Sequence, residues 1–576
     1  MTRNQWAGVI AAALALVATA TWAMQSPGNS HRTTPSPAPS AVPLTASPTP
    51  RPHTGETAEP TTLPPNKRER PNVVVVMLDD LRWDELAYAP NARRFIGDRG
   101  ITFRNSFAPF PLCCPARASF LSGQYAHNHG VLSHVEPYGF GAFDDHVSLG
   151  TRLQAAGYRT AMIGKYLNGY GEQPSRVTGQ PSVNYVPAGW TDWMAGLDNG
   201  GGLGGGTYDY FNLTQNINGT TTVNPGRYSS TVIADQAIGL VRDYSTSQQP
   251  FFMWLNPVAP HHGEPFEYDD PDPTLGGPAG LWTPARPDWV KGRFDSRIRH
   301  SPGLPASGAD PEERMGDKPR FMRKAKPPSP AARLGVLSLA RQRAEAIFAW
   351  DRQFGRVIRE LKRTGEFDDT ILMLTSDNGF LLGEHRVLSG KILPHEPSLR
   401  VPLMVSGPGV QHGTRVHPVT TMDLSATVLD LAGVKPPRSA DGASFQRLLT
   451  GPDQPWRVPM LTEGYFPGLP RLLEDFPALS EVGIRTGRYK YVRWASDQEE
   501  LYDLAKDPNE FDSRHRDPAY AGIKAQLAAI WERTKGCKGT QCQQPLPASL
   551  TTSVRDLGRI ADNFDRQRSR YYDSVN

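Results

Sequence analysis

Residues Val73 to Asp80 read Val-Val-Val-Val-Met-Leu-Asp-Asp, an unbroken apolar run followed by two carboxylates. A β-branched run of this length without polar alternation is typical of a strand buried on both faces. Residues 370–378 repeat the pattern as TILMLTSDN. The stretch before them, about residues 334–363, carries apolar side chains at helical spacing. A long helix that leads into a buried strand indicates an α/β fold.

Polar residues follow the ends of several predicted strands. Further strand candidates are residues 160–163, 251–255 and 402–405. In open α/β sheets, ligands bind beyond the carboxyl ends of the strands. We therefore expect a single site to gather the residues that follow these ends, which are Asp79, Asp80, Lys165, His261, Asp377 and Asn378.

The N-terminal region predicts export. Arg3 precedes an apolar run from Ala7 to Met24, so residues 1–24 are interpreted as a signal peptide or a membrane anchor. Residues 25–70 are rich in Pro, Ser and Thr and poor in large apolar side chains, which predicts a disordered linker. The protein is therefore expected to be secreted or held at the cell surface, with an N-terminal tether as the open alternative.

The remaining chain is long enough for a large unit over residues 71–450 and a smaller domain and tail over 451–576. In the smaller unit, strand-like and helix-like stretches predict an α+β arrangement. Residues 264–330 are rich in Pro, Gly and charged side chains, which indicates a long insertion or lid. The net charge of +4 is nearly balanced for 576 residues, so nothing indicates a nucleic-acid partner.

Four cysteines are present, in two pairs. Cys537 and Cys542 are expected to form a disulfide in an oxidising compartment. Cys113 and Cys114 are adjacent, a placement that disfavours a bridge between them. Buried structural cysteines are one interpretation of this second pair; the neighbouring motif gives another.

The polar residues at the predicted strand ends also suggest a metal site. Paired acidic residues at a strand end are usually a solvated turn, but two such pairs on separate buried strands would repel each other without a cation. Asp79, Asp80, Asp377 and Asn378 offer hard oxygen ligands only. That ligand set favours Ca²⁺ or Mg²⁺ over Zn²⁺.

The most specific motif is Cys-Cys-Pro-Ala-Arg at residues 113–117, continued by ASFLSG. The pattern Cys-x-Pro-x-Arg resembles the signature of the type I sulfatases, in which the cysteine is oxidised to formylglycine. Only Cys113 has Pro at the second following position and Arg at the fourth, so it is the residue expected to become 3-oxoalanine.

The resemblance continues in order along residues 71–517. Its elements are GKYLN at 164–168, APH at 259–261, TSDNG at 375–379, GEH at 383–385, EPSLRVP at 396–402 and DPNE at 507–510. These variants look like the branch that contains N-acetylglucosamine-6-sulfatases and heparan endosulfatases. The resemblance implies an alkaline-phosphatase-like α/β sandwich, with a large mixed, mainly parallel sheet flanked by helices and a smaller C-terminal α+β unit.

The resemblance also implies the site. Alone, each of these lysines would be interpreted as a surface residue. The expected catalytic residues are Cys113, Arg117, Lys165, His261 and Lys391. The expected substrate-binding residues are Lys165, His261, His385 and Lys391. The expected metal ligands are Asp79, Asp80, Cys113, Asp377 and Asn378. Many sulfatases have a histidine two residues after the first lysine, where this chain has Leu167; a mechanism that needs an acid-base group at that position is not expected here.

The function implied is hydrolysis of a sulfate monoester of a sulfated sugar or an aryl compound, with Ca²⁺ or Mg²⁺ and formylglycine. Its implied partners are that substrate and a formylglycine-generating enzyme during maturation. Two alternatives stay open: a phosphonate monoester hydrolase or phosphodiesterase with the same modified cysteine, and a catalytically silent glycan-binding relative.

Overall fold

The computed structural model describes residues 70–466 and 479–572. The signal or anchor predicted over residues 1–24 lies outside the described residues, as does the linker predicted over 25–70 apart from Arg70. In the described part of the chain, no helix has both the length and the apolar character that crossing a bilayer requires.

The larger of the two main sheets contains ten strands, and its centre is parallel. The strands of this sheet are β1 (Asn72–Leu78), β2 (Ile101–Phe103), β4 (Arg159–Gly164), β5 (Asp192–Gly196), β6 (Asn212–Ile217), β7 (Thr220–Pro225), β8 (Phe251–Asn256), β9 (Thr370–Ser376), β10 (Leu403–Ser406) and β11 (Gly413–Arg415). A short pair forms separately from β3 (Ser106–Phe107) and β12 (Val419–Thr420). The spatial order of the large sheet is β11-β2-β10-β9-β1-β8-β4-β5-β6-β7. Strands β9, β1, β8, β4 and β5 run parallel, which confirms the predicted mixed, mainly parallel sheet.

Helices cover both faces of this sheet. They are α1 (Pro90–Phe95), α2 (Cys113–Ser122), α3 (Ala126–His129), α4 (Leu149–Ala155), α5 (Ser229–Ser245), α6 (Pro330–Arg363), α7 (Glu396–Leu399), α8 (Thr421–Leu431) and α9 (Gln446–Thr450). Helices α5 and α6 pack on one face, while α2, α4 and α8 pack on the other.

Strand β1 shows why the opening run of valines needs no polar alternation. Val74, Val76 and Leu78 lie in the core on the α5–α6 side. Val73, Val75 and Met77 lie in the core on the α2 side. Successive side chains of a strand point to opposite faces. Both faces of β1 are therefore apolar, as the sequence predicted.

A smaller antiparallel sheet follows the large one. It contains β13 (Met460–Gly464), β14 (Glu481–Arg485), β15 (Tyr489–Trp494) and β16 (Glu499–Asp503), in that spatial order. Helices α10 (Ala521–Thr534) and α11 (Val554–Tyr572) complete this part. Trp531 of α10 is buried and donates its indole N–H to the Val482 carbonyl at 3.0 Å. Between the two helices, Cys537 and Cys542 form a disulfide with a Cα–Cα distance of 5.0 Å.

The segment 264–330 lies between β8 and α6 and contains only short 3₁₀ turns, at Pro273–Ala279, Asp288–Val290 and Met322–Lys324. Buried side chains anchor it despite its irregular backbone. Arg286 pairs with Asp269 at 2.7 Å and with Glu345 of α6 at 3.0 Å. The predicted insertion is thus packed onto the long helix that follows it.

Candidate active site

The site lies at the carboxyl edge of the parallel strands. Strand β1 leads to Asp79 and Asp80, β9 to Asp377, β4 to Lys165 and β8 to the segment that carries His261. Since β9, β1, β8 and β4 are consecutive neighbours in the sheet, these ends are adjacent in space. The convergence expected from the sequence is therefore a feature of this fold.

Asp80 shows how one backbone angle places two consecutive carboxylates in one site. In a regular strand, Asp79 and Asp80 would point to opposite faces. Asp80 instead has φ 66°, in the left-handed region that Asp tolerates better than most residues. The turn directs both side chains toward Cys113, whose Sγ lies 3.3 Å from Asp79 Oδ1 and 3.9 Å from Asp80 Oδ1.

Cys113 is the first residue of α2 and is fully buried. Lys391 Nζ lies 2.6 Å from its Sγ. Burial raises the pKa of the Cys113 thiol well above its ordinary value, and the charge of Asp79 adds to this effect. The unmodified side chain is therefore a neutral thiol, in a position where the helix N-terminus favours an anion.

Each lysine of the site contacts one of the two carboxylates. Lys165 Nζ lies 2.5 Å from Asp79 Oδ2, and Lys391 Nζ contacts Asp80 Oδ1. Burial alone would lower the pKa of both lysines. Asp79 instead raises the pKa of Lys165 above its ordinary value, and Asp80 does the same for Lys391. Burial alone would raise the pKa of Asp80, but Lys391 and His261 lower it. These contacts keep the two lysines and Asp80 charged in the interior.

Arg117 organises the other side of the site. It is fully buried, and its Nε donates to Asp377 Oδ2 at 2.7 Å. Its Nη1 donates to the Lys165 carbonyl at 3.0 Å and to Asn256 Oδ1 at 3.2 Å. Its Nη2 is buried and has no hydrogen-bond partner among the described residues. Arg117 thus links the ends of β4, β8 and β9, and one of its donors is left for another group.

Gly164 is needed for this arrangement. It has φ +100°, and a Cβ at this position would lie 2.1 Å from the Asn256 carbonyl oxygen. The close approach lets the Lys165 amide donate to that same oxygen at 2.8 Å. Only glycine permits this geometry, which fixes Lys165 beside the end of β8.

The oxygen-rich end of the site fits a divalent cation. Asp377 Oδ1 accepts from the backbone N–H groups of Asp80 at 3.1 Å and Asn378 at 2.8 Å. Asn378 Nδ2 donates to Asp80 Oδ1 at 2.7 Å, while Asn378 Oδ1 is buried and has no hydrogen-bond partner in the described part of the chain. One ligand atom each from Asp79, Asp80, Cys113 and His261 lies within 4.8 Å of the others. Clustered carboxylates with an unpartnered amide oxygen are a donor set suited to Ca²⁺ or Mg²⁺.

His261 faces this cluster. Its Nε2 lies 3.8 Å from Asp80 Oδ2, and its Nδ1 bonds the His262 carbonyl at 2.7 Å. Because a carbonyl can only accept, Nδ1 carries the hydrogen and Nε2 faces the site. Burial lowers the pKa of His261 well below its ordinary value, and His262 adds to this effect. The Tyr208 ring lies 4.8 Å from the imidazole and limits its movement.

A cavity of about 610 Å³ opens above these groups, lined among others by Asp80, His261 and Lys391. His385 also lines it, although its side chain is buried and its Nδ1 bonds Glu312 Oε2 at 2.6 Å. Burial alone would lower the pKa of His385, but Glu312 raises it. His385 therefore connects the cavity to the segment 264–330.

Three residues of the site were missed in the sequence. Asn256 accepts from Arg117 and ends β8, so the rule that selected the other strand ends could have found it. Tyr208 packs on His261, and His134 lines the cavity with a buried Nε2 that has no hydrogen-bond partner. Both lie in loops where the sequence pattern gives no such signal. Leu167, by contrast, is buried in the apolar core.

The strand order is that of an alkaline-phosphatase-like fold. The paired charges and the buried Cys-x-Pro-x-Arg motif at its strand ends define a hydrolase site for an anionic ester. The sulfatase family model matches residues 71–434, which is more than half of the chain. The chain therefore belongs to the sulfatase family and is a sulfuric ester hydrolase. A second model, that of the C-terminal region of N-sulphoglucosamine sulphohydrolase, matches residues 383–535.

Curated relatives agree with this assignment. The human N-acetylglucosamine-6-sulfatase is 28% identical over 530 residues, covering 83% of this chain and 86% of the relative. An arylsulfatase of Volvox carteri is 27% identical over 545 residues, covering 88% and 80%. The extracellular sulfatase SULF-1 homolog of Drosophila melanogaster is 30% identical over 395 residues, which cover 66% of this chain but only 32% of that protein.

Solved structures share the fold. One, determined in complex with its substrate D-glucosamine-2-N,6-O-disulfate, has a TM-score of 0.59 and 24% identity, covering 81% of this chain and 97% of its own. A phosphonate monoester hydrolase from Silicibacter pomeroyi has a TM-score of 0.56 and 22% identity, covering 84% and 100%. At these identities the likeness concerns the fold.

Proposed function

We propose that the protein hydrolyses the sulfate monoester of a sulfated saccharide, with Cys113 in its formylglycine form and a divalent cation at the strand ends. The observation that carries the proposal is the position of Cys113. Its buried side chain contacts Asp79, Asp80 and Lys391, and two of these residues, Asp80 and Lys391, line the cavity of about 610 Å³. That volume is in the range of small-molecule sites.

The electrostatics of Cys113 support its modification. A thiol with a raised pKa beside two carboxylates is a weak nucleophile, because the thiolate is the reactive form. Formylglycine at this position would supply a hydrated aldehyde, whose hydroxyl group is the nucleophile of the family. Arg117 Nη2, buried and unpartnered, is the donor we assign to that hydrate.

The cation would be held by Asp79, Asp80, Asp377 and Asn378. When bound, it would supply positive charge to the oxygens of the sulfate and of residue 113. Lys165 and Lys391 flank this point from β4 and from the loop after β9. Their ammonium groups would bind the equatorial sulfate oxygens and stabilise the charge of the transition state.

We assign proton donation to His261. Its Nε2 faces the cavity, and its Nδ1–H is held by the His262 carbonyl. An anionic ester beside the ring favours the imidazolium form, which could transfer its Nε2 proton to the departing alcohol. His385 is assigned to the cavity wall, where the ion pair with Glu312 fixes its ring.

Aromatic side chains on the cavity wall support a saccharide as the alcohol portion. Tyr208, Trp282, Phe321 and Phe466 line the cavity and offer flat apolar surfaces to a sugar ring. The phosphonate monoester hydrolase with the same fold is the second candidate function. Relative rates on sulfate monoesters, phosphate diesters and phosphonate monoesters separate the two.

We also propose export, with a signal or anchor over residues 1–24, a linker over 25–70 and a catalytic unit over 71–450. Extracellular relatives support the location. Maturation would require a formylglycine-generating enzyme that acts on the chain before it folds, since Cys113 is completely buried afterwards.

The two neighbouring cysteines provide a matched test. Cys113→Ala should reduce turnover of N-acetylglucosamine 6-sulfate by at least about a thousandfold, since the nucleophile is lost. Cys114→Ala should retain most activity, because Cys114 Sγ only contacts the Asn168 carbonyl at 3.6 Å in the apolar core. Peptide mass spectrometry of active protein should show residue 113 as formylglycine. An active protein with an intact Cys113 thiol would contradict the proposal.

A further inference from the structure

The cavity wall carries positive charge that the reaction centre does not use. Among the described residues, its lining includes the cations Lys324, Lys326, Arg386 and Lys391 but only one carboxylate, Asp80. Lys391 pairs with Asp80, and Arg386 pairs with Asp310 behind the wall. Lys324 and Lys326 have no ion-pair partner within residues 70–466 and 479–572. Two lysines of the wall are therefore not neutralised by the described part of the protein.

These lysines come from a distinctly basic part of the insertion. Residues 319–328 read PRFMRKAKPP, with four cations and no acidic residue. Lys324 ends a 3₁₀ turn, and Lys326 precedes two prolines that restrict the backbone. Both lysines are exposed on the cavity side, so they are accessible to a bound molecule.

Buried contacts fix the backbone of this stretch relative to the reaction centre. The Phe321 ring packs on Phe466 at 6.0 Å and on Trp494 at 5.0 Å, and Met322 is buried in the same apolar cluster. Arg386 Nη1 donates to the Ala325 carbonyl at 2.8 Å, directly between the two lysines. Arg386 lies in the loop that also carries Lys391, so a single loop contacts both the basic stretch and the reaction centre.

We infer that Lys324 and Lys326 bind a second anionic group of the substrate, so that the natural substrate is a saccharide with at least two anionic groups. The inference rests on the proposed function, which places one sulfate at Cys113. A compact neutral aryl group would leave the two ammonium groups in solvent. A second sulfate or a carboxylate on the sugar would pair with them, and the insertion would thereby select among sulfate esters.

The size of the effect follows from the exposure of the lysines. Ion pairs of exposed lysines are weak and screened by salt. Together the two should contribute about three- to tenfold in affinity at low ionic strength. The contribution should decrease as salt is added, whereas contacts at the buried reaction centre should change less.

The test compares two sugars that differ by one anionic group. Glucosamine 2-N,6-O-disulfate has a second sulfate, and N-acetylglucosamine 6-sulfate does not. Titration calorimetry on the Cys113→Ala protein measures binding without turnover. For the variant Lys324→Gln/Lys326→Gln in that background, we expect about three- to tenfold weaker binding of the disulfate and unchanged binding of the monosulfate. The control Arg299→Gln/Arg320→Gln removes two exposed cations of the insertion that do not line the cavity and should change neither.

The same variants in active protein give a second measurement. The Lys324→Gln/Lys326→Gln variant should lower kcat/KM for the disulfate, with kcat on the monosulfate unchanged. Equal effects on both sugars, or none on either, would overturn the inference. If wild-type protein with formylglycine at residue 113 hydrolyses no sulfate ester, the proposed function is wrong. The calorimetric comparison would still decide whether Lys324 and Lys326 bind a second anionic group.

Discussion

At the level of single residues, the site consists of buried charges that are each matched by an opposite one. Lys165 contacts Asp79, Lys391 contacts Asp80, and Arg117 contacts Asp377. Removing either partner of such a pair would leave the other as an unpaired buried charge, which is strongly destabilising. The ring of His134 is different: His134 lines the same cavity, and its buried Nε2 has no hydrogen-bond partner within residues 70–466 and 479–572.

His134 is placed by its backbone. Its carbonyl accepts from Gln173 Nε2 at 3.0 Å, and Gln173 Oε1 accepts from Gly141 N–H at 2.9 Å. Gln173 lies in the loop after β4 that also carries Lys165, so His134 is tied to the loop of a lysine that we propose to bind sulfate. A buried polar atom without a partner costs free energy unless a ligand satisfies it.

We therefore predict that His134→Ala weakens sulfate-ester turnover by about ten- to a hundredfold, the value of one hydrogen bond to a charged group. His134→Gln retains an N–H donor and should recover part of this loss. The measurement is kcat and KM on N-acetylglucosamine 6-sulfate, with the thermal midpoint as a control. The midpoint should not decrease, because the substitution removes no hydrogen bond of Nε2 with the described residues. Unchanged turnover in the alanine variant would contradict the prediction.

At the level of elements, the parallel core could be predicted and its edges could not. Strands β1 and β9 are continuous apolar runs, so their burial and the residues that follow them were readable from the sequence. Strands β6 and β7 are NLTQNI and TTTVNP, whose polar side chains resemble a loop. Helix α11 was not predicted: it lies in the stretch 451–576, which was described only as a smaller domain and tail, and charged residues are frequent in its sequence. The left-handed turn at Asp80 likewise depends on tertiary contacts that a single sequence does not show.

A contact between two elements should make stability depend on pH. His127 of α3 is buried, pairs with Glu463 of β13 and bonds the Cys537 carbonyl at 2.8 Å. Burial alone would lower the pKa of His127, but Glu463 raises it to about 9 from an ordinary value of 6.5. The folded protein thus binds this proton more tightly than the unfolded chain, so the pair stabilises the fold fully below pH 6.5. The contribution is lost as the pH rises through 9.

His127→Gln removes this proton binding. The difference in unfolding free energy between wild type and variant should be largest at pH 6, on the order of 3 kcal/mol. It should shrink steadily between pH 6.5 and 9.5. Urea unfolding followed by tryptophan fluorescence at a series of pH values measures it. His146→Gln is the control, because His146 is exposed. A difference that stays constant with pH would refute the assignment.

At the level of the whole molecule, a layer of buried ion pairs joins three regions around the cavity. Glu312 of the insertion pairs with His385 and with Lys318. Glu396 of α7 pairs with Arg485 and Lys490 of the small sheet. Buried charges therefore join the insertion to the cavity loop, and helix α7 to the small sheet, so displacing one of these parts would leave charges of its neighbour unpaired.

Helix α11 closes this assembly. Its buried residues follow a helical stripe: Leu557, Ala561, Phe564 and Arg568. Arg568 Nη2 lies 2.9 Å from Glu384 Oε1, and Arg82 Nη2 lies 3.0 Å from the same oxygen. Burial alone would raise the pKa of Glu384, but Arg82 and Arg568 lower it to about 2. Glu384 directly precedes His385 in the cavity loop, so the last helix supports the loop that carries Lys391.

Arg568→Met should therefore destabilise the protein and also reduce its activity, because Arg568 pairs with Glu384, the residue next to His385 in the cavity loop. We expect a loss of about 1–3 kcal/mol at pH 7, since Glu384 keeps Arg82 as a partner. The pKa of Glu384 is lower in the folded protein than in the unfolded chain, where it is 4.5. The stabilisation that Arg568 provides is therefore complete above pH 4.5 and is lost as the pH falls through 2. The thermal midpoints of wild type and variant should thus converge as the pH falls from about 4.5 to about 2. The control is Arg566→Met, on the exposed side of the same helix, which should leave both stability and kcat/KM unchanged. An equal effect of the two substitutions would show that the loss of a positive charge, and not the contact with Glu384, is responsible.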